Sequence, residues 1–318
     1  MRILVVGDVH GKAGDLADCR ALGWFIEETA AKVKPDRILF LGDQYDTHAM
    51  VHILVQEFWL NLFANLAQIA KVVALVGNHD LVGNGVDTAA NSMQVHHPNV
   101  RVVDGVQRDG DDGEVCYAAY KASLTNISKT KYLFCHHTFQ GAQYENGFYA
   151  KDGIDPASVP AEHIISGHIH SPSSFGKVTY IGAPRWQTVA DASVTRRSIC
   201  LLDTKTGIVE SFATNPHVRV IHHLADTEAA PAVVPILKPQ DSVVVDVVGS
   251  AKYVEERAKE LKAAGHRVRT FATSVSNREV KESEGLGKSW YKYVESYYAR
   301  YGTSLDTLAK MAEEINVR

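Results

Sequence analysis

Three times within the first 80 residues a short apolar run ends in glycine and a polar side chain. The runs are RILVVGD (residues 2–8), RILFLGD (37–43) and KVVALVGNHD (71–80). A continuous apolar run of this length bounded by glycine suits a strand covered on both faces, the environment of a parallel sheet. Helical spacing over about Ala13–Lys34, halted before Pro35, and again over about Thr47–Ala70 separates the three runs. Strands alternating with helices predict a parallel sheet whose strand ends all reach one edge, where open α/β sheets place their sites.

Beyond Asn99 the strands shorten and helices become scarce: RVVDG, EVCYAAY, KYLFCHH, HIISGHIH, KVTYIGAP and RRSICLLD. The pattern predicts a second sheet packed on the first, giving a two-sheet α/β/β/α sandwich over residues 1–225. The 318-residue chain exceeds the usual single-domain size, which leaves room for a smaller second unit. DTEAAPAVVPILKP reads as a linker over 226–239. Residues 240–318 then read as a small α+β capping or partner-binding domain, with the strand DSVVVDVVG, a helix in AKYVEERAKELKAAG, the strand HRVRTFAT and two helices from about Ser289 and Ser304.

With 45% hydrophobic and 22% charged residues the chain can bury a sizeable core, which argues against disorder. No run approaches the roughly 18 apolar residues of a membrane span, and the N-terminal run meets Gly7 and Asp8 too early for a signal-peptide core. Cys19, Cys116, Cys135 and Cys200 lie far apart with no CxxC pair, so a reducing cytoplasm is expected. A net charge of −4 argues against nucleic-acid binding by bulk charge alone. From Ala251 onward, however, 13 Lys+Arg face 10 Asp+Glu, so any such surface would be local.

The strand ends supply Asp8 and His10 in GDVHG, Asp43 in GDQYD and Asn78 and His79 in GNHD. Later strands add His136 and His137 in FCHHT and His168 and His170 in SGHIH. Carboxylate, imidazole and amide donors without thiolate suit hard to borderline divalent ions such as Mn²⁺, Fe²⁺, Ni²⁺ or Zn²⁺. A pair of metals is the reading. Side chains of His168 and His170 on an extended segment can approach two ions about 3.5–4 Å apart, and Gly167 lets the backbone come close to crowded ligands.

In this order the blocks DVH, GDQYD, GNHD, HH and GHIH, over residues 8–170, resemble the motif series of the calcineurin-like metallophosphoesterase superfamily. The resemblance implies that Asp8, His10 and His170 bind one metal and that Asn78, His136 and His168 bind the other, with Asp43 bridging. Either His136 or His137 could be the ligand; His136 is preferred because it directly follows the apolar YLFC, with His137 left to face substrate. The resemblance further implies that His79 faces the scissile phosphate with Asp80 orienting its ring, and that a hydroxide held between the metals attacks phosphorus.

GDVHG also resembles the opening of the protein Ser/Thr phosphatases, but those carry Arg-Gly where this chain has Thr47 and His48. The bidentate fork that grips a phosphomonoester is therefore missing at that place. GHIH followed by YIGAPRWQTVAD is similar to the DNA-repair exonuclease branch of SbcD type, which also has a small capping domain. That resemblance implies an exo- or endonuclease subunit acting on DNA with two metals, Mn²⁺ first among them, working with an SbcC-like ABC-type ATPase and able to form a homodimer. The alternatives are a small-molecule or cyclic-nucleotide phosphodiesterase, a phosphomonoesterase of the protein-phosphatase kind, and a non-catalytic scaffold.

His48, His137 and Arg185 are candidate substrate contacts, and Trp186 could brace the same turn. His96, His97, His163, His217, His222 and His223 fit no block and are read as surface or packing residues. Asp109, Asp111 and Asp112 in RDGDDGE fail the EF-hand spacing and read as a solvated hairpin. GKSWYKYVESYYAR, with Trp290, Tyr291, Tyr293, Tyr297 and Tyr298 among basic residues, reads as an amphipathic helix that packs its aromatic face or stacks bases.

Overall fold

The computed structural model describes residues 1–48, 50–84, 91–110, 113–144 and 147–272. The aromatic segment from Lys288 to Arg300, the helices expected from Ser289 and Ser304, and Asp111 and Asp112 lie outside the described residues.

In chain order the elements are β1 (Arg2–Val6), α1 (Leu16–Val33), β2 (Arg37–Phe40), α2 (Ile53–Leu66), β3 (Lys71–Leu75) and β4 (Val100–Val103). Then come β5 (Val106–Asp109), β6 (Val115–Ala118), β7 (Thr130–Cys135), β8 (Ala161–Ser166), β9 (Ser173–Phe175) and β10 (Val178–Tyr180). The chain continues through β11 (Ser198–Asp203), β12 (Val209–Ala213), β13 (Ile221–Thr227), β14 (Ser242–Gly249), α3 (Ala251–Ala263) and β15 (Arg267–Ala272).

The first sheet runs β12-β11-β1-β2-β3-β4, with β1 to β4 parallel and β11 and β12 returning antiparallel at one side. The second runs β5-β6-β7-β8-β10-β9, parallel from β6 to β10 and antiparallel at both edges. Strand periodicity divides the apolar residues between two layers. Ile3, Val5, Leu39, Val73 and Leu75 meet Tyr117, Tyr132 and Phe134 between the sheets. Leu4, Val6, Ile38 and Phe40 point the other way, onto Leu22 and Ile26 of α1 and Trp59 and Phe63 of α2. The outer face of the second sheet is covered by irregular chain, through Leu124, Ile127, Phe139, Ala142 and Val159.

The second helix is shorter than the apolar spacing predicts, starting at Ile53 rather than near Thr47. His52 is the reason: its ring accepts from Leu54 N–H as an N-cap, so the helix begins only at the next residue. At the other end of the first helix, Lys34 closes α1 at φ +46° before Pro35. Trp59 of α2 is fully buried, and its indole N–H donates to the Gln44 carbonyl at 3.1 Å. Helix packing is thereby tied to the loop that follows β2.

The chain divides into two compact units, Met1–His222 with Leu237–Ser242, and His223–Ile236 with the chain from Val243 onward. In the second, β14 and β15 are parallel partners joined through α3, and Ser250 caps that helix by accepting from Tyr253 N–H. The third sheet has the order β13-β14-β15. No described helix is long and apolar enough to cross a membrane.

Candidate metal centre

The loops after β1 and β2 are laced together by backbone. His10 N–H donates to the Asp43 carbonyl at 2.9 Å, and Gly11 N–H to that of Gln44 at 2.7 Å. These bonds place the polar ends of two parallel strands side by side. The chain beyond β8 joins them where Gly167 N–H donates to the Cys135 carbonyl and His168 N–H donates to Asp8 Oδ2 at 2.6 Å.

Four non-glycine residues among those described have positive φ, and three belong to this cluster: His10 (+48°), Asp43 (+52°) and His168 (+80°). Asp and His tolerate this region better than most residues, yet each instance costs on the order of 1–3 kcal/mol and persists only where the surroundings enforce it. Glycine provides the necessary closeness at two points. A Cβ on Gly167 would lie 2.5 Å from Asp8 Oδ1, and one on Gly42, itself at φ +115°, would lie 2.5 Å from His136 Nδ1.

Three groups of ligating atoms converge to within 4.8 Å: Asp8, His10 and His170; His10, Asp43 and His79; and Asp43, His136 and His168. Asn78 joins the last, its Oδ1 3.0 Å from His136 Nε2 and 2.8 Å from His168 Nδ1. Asp43 Oδ2 stands between the sides of the cluster, 3.4 Å from His10 Nε2 and 3.2 Å from His136 Nε2. His10 Nε2 and His170 Nε2 approach to 3.2 Å.

Asp8 and His136 are fully buried and His10 and Asp43 nearly so, while His79, His168 and His170 are half-buried toward the open side. The electrostatics follow from this burial. Burial pushes Asp8 up to about 6, against the attraction of His136. Asp43 is held well below the usual carboxylate range, since His136 and His10 outweigh the upward push of burial. His136 goes up to about 9, because Asp43 and Asp8 overcome its own desolvation. Burial takes His10 down to about 4 and His168 to about 3.

Divalent metal fits this donor set. Asp8 Oδ1 is buried with no hydrogen-bond partner, and a buried carboxylate oxygen without a partner is costly unless a cation takes it up. Ring orientation points the same way. His136 Nδ1 lies 2.8 Å from the Leu41 carbonyl, which can only accept, so Nδ1 carries hydrogen and Nε2, facing Asp43 and Asn78, is the nitrogen left to a metal. Of the HH pair it is thus His136 whose ring enters the cluster. His137 instead lies 3.1 Å from the Ala119 carbonyl through Nε2, stacks on Tyr120 and lines the adjoining cleft.

Two expectations are corrected. Asp80 does not orient His79: its carboxylate accepts from Gly77 N–H at 2.9 Å and Tyr45 N–H at 3.1 Å. The His79 ring is held by the Asp46 carbonyl, 2.9 Å from Nδ1, and lies tilted against His48 with centroids 4.0 Å apart. Buried beside Asp43, Asp80 is itself pushed up to about 7. Arg185 is no substrate contact. Fully buried, it donates to the Val9 and His10 carbonyls at 2.7 Å each and pairs with Asp15 and Asp18, holding the β1 loop from below. Trp186 is buried alongside and donates to the Val194 carbonyl.

Asp191, the acidic residue that ends YIGAPRWQTVAD, is a supporting residue to which the motif gives no role. It is fully buried, 3.6 Å from His170 Nδ1 and 2.8 Å from Arg197 Nη2, and it is held below its ordinary range because His170 and Arg197 outweigh burial. A carboxylate behind a ligating imidazole fixes its ring and tautomer. The only hint in sequence is an acidic residue a few positions beyond the YIGAP turn.

A cleft of about 510 Å³ opens beside His168 and His137, bounded also by Tyr120, Tyr144, Tyr149 and Lys151. The Tyr120 ring stacks near both histidines, at 6.0 Å from His137 and 5.9 Å from His168.

A family model described as calcineurin-like phosphoesterase matches residues 1–172. No curated protein matches the chain. Among solved structures, one described as a novel archaeal phosphodiesterase is 13% identical, covering 67% of this chain and 99% of that one with a TM-score of 0.35.

Proposed function

Because this chain belongs to the calcineurin-like phosphoesterase family, we propose that it is a two-metal phosphodiesterase whose substrate is DNA, cut as by a nuclease subunit of SbcD type. The observation that carries the diester reading is the charge of the cleft. Lys151 is the only fixed cation among its described lining residues, and the nearby Arg185 is spent beneath the β1 loop. A dianionic monoester calls for a forked guanidinium, whereas a singly charged diester does not.

In this reading Asp8, His10 and His170 would hold one ion and Asn78, His136 and His168 the other, with Asp43 shared between them. Divalent ions there supply Lewis acidity and a water of lowered pKa. Mn²⁺ is the proposed ion; Fe²⁺, Ni²⁺ and Zn²⁺ suit the same donors. The Asp46 carbonyl takes the Nδ1 hydrogen of His79 and leaves Nε2 to carry a proton to the departing oxygen. His48, tilted against that ring and 3.1 Å from the Asn78 carbonyl through Nδ1, limits its rotation.

DNA is chosen on the resemblance of GHIH and YIGAPRWQTVAD to the DNA-repair exonuclease branch, and that choice brings an SbcC-like ATPase and a second copy of the chain as partners. A small-molecule phosphodiesterase is the second reading, favoured by a cleft volume of about 510 Å³ that matches single small ligands. Linear duplex DNA, bis-p-nitrophenyl phosphate and p-nitrophenyl phosphate, assayed in parallel with Mn²⁺ and His79→Ala as control, separate the cases. Digestion of DNA that is lost in the variant supports the nuclease. Turnover of the small diester alone, even with unpaired DNA ends, supports the second reading, and preference for the monoester overturns both.

A further inference from the structure

The cleft beside His168 has a built wall that metal binding does not use. The excursion from Thr138 to Ile154 closes on itself, with Ile154 N–H donating to the Thr138 carbonyl at 2.9 Å and Gln140 N–H to that of Ile154 at 3.0 Å. Within it, Gly141 N–H donates to the Ala150 carbonyl at 3.0 Å, and Ala150 N–H returns the bond to Ala142 at 2.8 Å. Tyr144 N–H donates to the Phe148 carbonyl at 2.8 Å. These bonds among the described residues set the backbone positions from which Tyr144 and Tyr149 reach the cleft.

Three phenol rings border the one cleft, and Tyr149 is 64% exposed. Tyr149 thus offers its ring to solvent at the cleft, while Tyr120 and Tyr144 are half-buried against the two cores and keep one edge on the cleft wall. Lys151 and Asp152 stand next to one another in the same lining, so the cleft has one fixed cation with a carboxylate beside it. Flat rings with polar rims and one cation match a flat heterocycle joined to a phosphate, because stacking accepts any base while the cation holds the anionic group.

The geometry points to this cleft as a nucleoside subsite that stacks one base of the substrate next to the scissile phosphate. The assignment rests on the phosphodiesterase reading for its orientation toward His168. At about 510 Å³ the cleft takes one nucleotide, so a DNA substrate places one unstacked nucleotide in it. It also identifies nucleotide diesters as the substrate class if the substrate is small.

The test is binding, not turnover. The full-length chain is equilibrated with dAMP or with 2-deoxyribose 5-phosphate, which lacks the base, by equilibrium dialysis in Mn²⁺ and again in chelator. dAMP is expected to bind roughly tenfold tighter or more in both conditions. Tyr149→Ala is expected to abolish that difference and Tyr149→Phe to keep it, while Lys151→Gln weakens both ligands and lowers the salt dependence. Equal binding of the two ligands, or no binding of either, overturns the subsite, as does a difference that survives Tyr149→Ala. If dAMP is preferred but no diester is hydrolysed, the subsite stands and the catalytic reading falls. If diesters are hydrolysed without base preference, the catalytic reading stands and the subsite falls.

Discussion

His136 Nδ1 lies 2.8 Å from the carbonyl of Leu41, a residue 95 positions earlier in the chain, and this bond aims the opposite ring nitrogen at Asp43. One sheet thereby orients a side chain of the other. Against its own desolvation, the Asp43 and Asp8 carboxylates hold a second proton on that ring in the metal-free protein, where a cation is otherwise expected.

Metal-free stability is predicted to fall as pH rises from about 6.5 to about 9. In that window His136, at about 9 in the fold and near 6.5 when unfolded, binds its proton more tightly in the native state. Its contribution is complete below about 6.5 and lost on passing through about 9, with a slope of up to about 1.4 kcal/mol per pH unit. Asp80, at about 7, adds loss in the same direction at the lower edge. Below about 6.5, His10, His137 and His168 work the other way, because their protonation favours the unfolded chain. Urea unfolding in chelator across pH 6.5–9 measures this, and a flat profile there rejects the protonated His136.

His79→Ala is expected to keep both ions and lose hydrolysis by on the order of 10²–10⁴-fold. Its ring is fixed by Asp46 and His48, and no group in the centre leans on the His79 side chain for its own hydrogen bond. Metal content by mass spectrometry together with turnover of bis-p-nitrophenyl phosphate decides the matter; unchanged turnover removes the role.

Asp43→Asn is expected to lower occupancy of both ions rather than one. A single carboxylate oxygen lies within 3.4 Å of His10 and 3.2 Å of His136, on opposite sides of the centre. Metal-to-protein ratio after dialysis reads the outcome, and full retention of two ions contradicts a bridging Asp43.

Arg185→Lys is expected to destabilise the fold by roughly 1.5–3 kcal/mol, since an ammonium cannot reproduce the fork that serves two carbonyls and two carboxylates. The loss shows as a lower Tm in chelator. A raised KM with unchanged Tm would instead restore Arg185 as a substrate contact.

Much of this centre was legible from residue types and order. Apolar runs ending in glycine locate the strand ends because strand burial and sharp turns leave short-range marks, and Asp8, His10, Asp43, Asn78, His136, His168 and His170 stand at those marks. Asp191 and the Asp46 carbonyl carried no such mark. One depends on where a distant loop comes to rest, and a backbone carbonyl has no signature in sequence at all. Arg185 was misread for a related reason: a charged residue after a turn is more often exposed, and only packing reveals the four acceptors buried around it.

By itself, then, the amino-acid order determined the two-sheet class, the family and the set of donor atoms, because periodicity, glycine placement and side-chain chemistry act over a few residues. Tertiary structure decided which histidine of the HH pair faces the centre, which groups hold His79 and His170, and whether Arg185 sees solvent. Those outcomes depend on distances between segments up to 179 residues apart, such as Gln187 on the Asp8 carbonyl. Folding sets such distances by packing whole sheets against one another, and no local pattern encodes them.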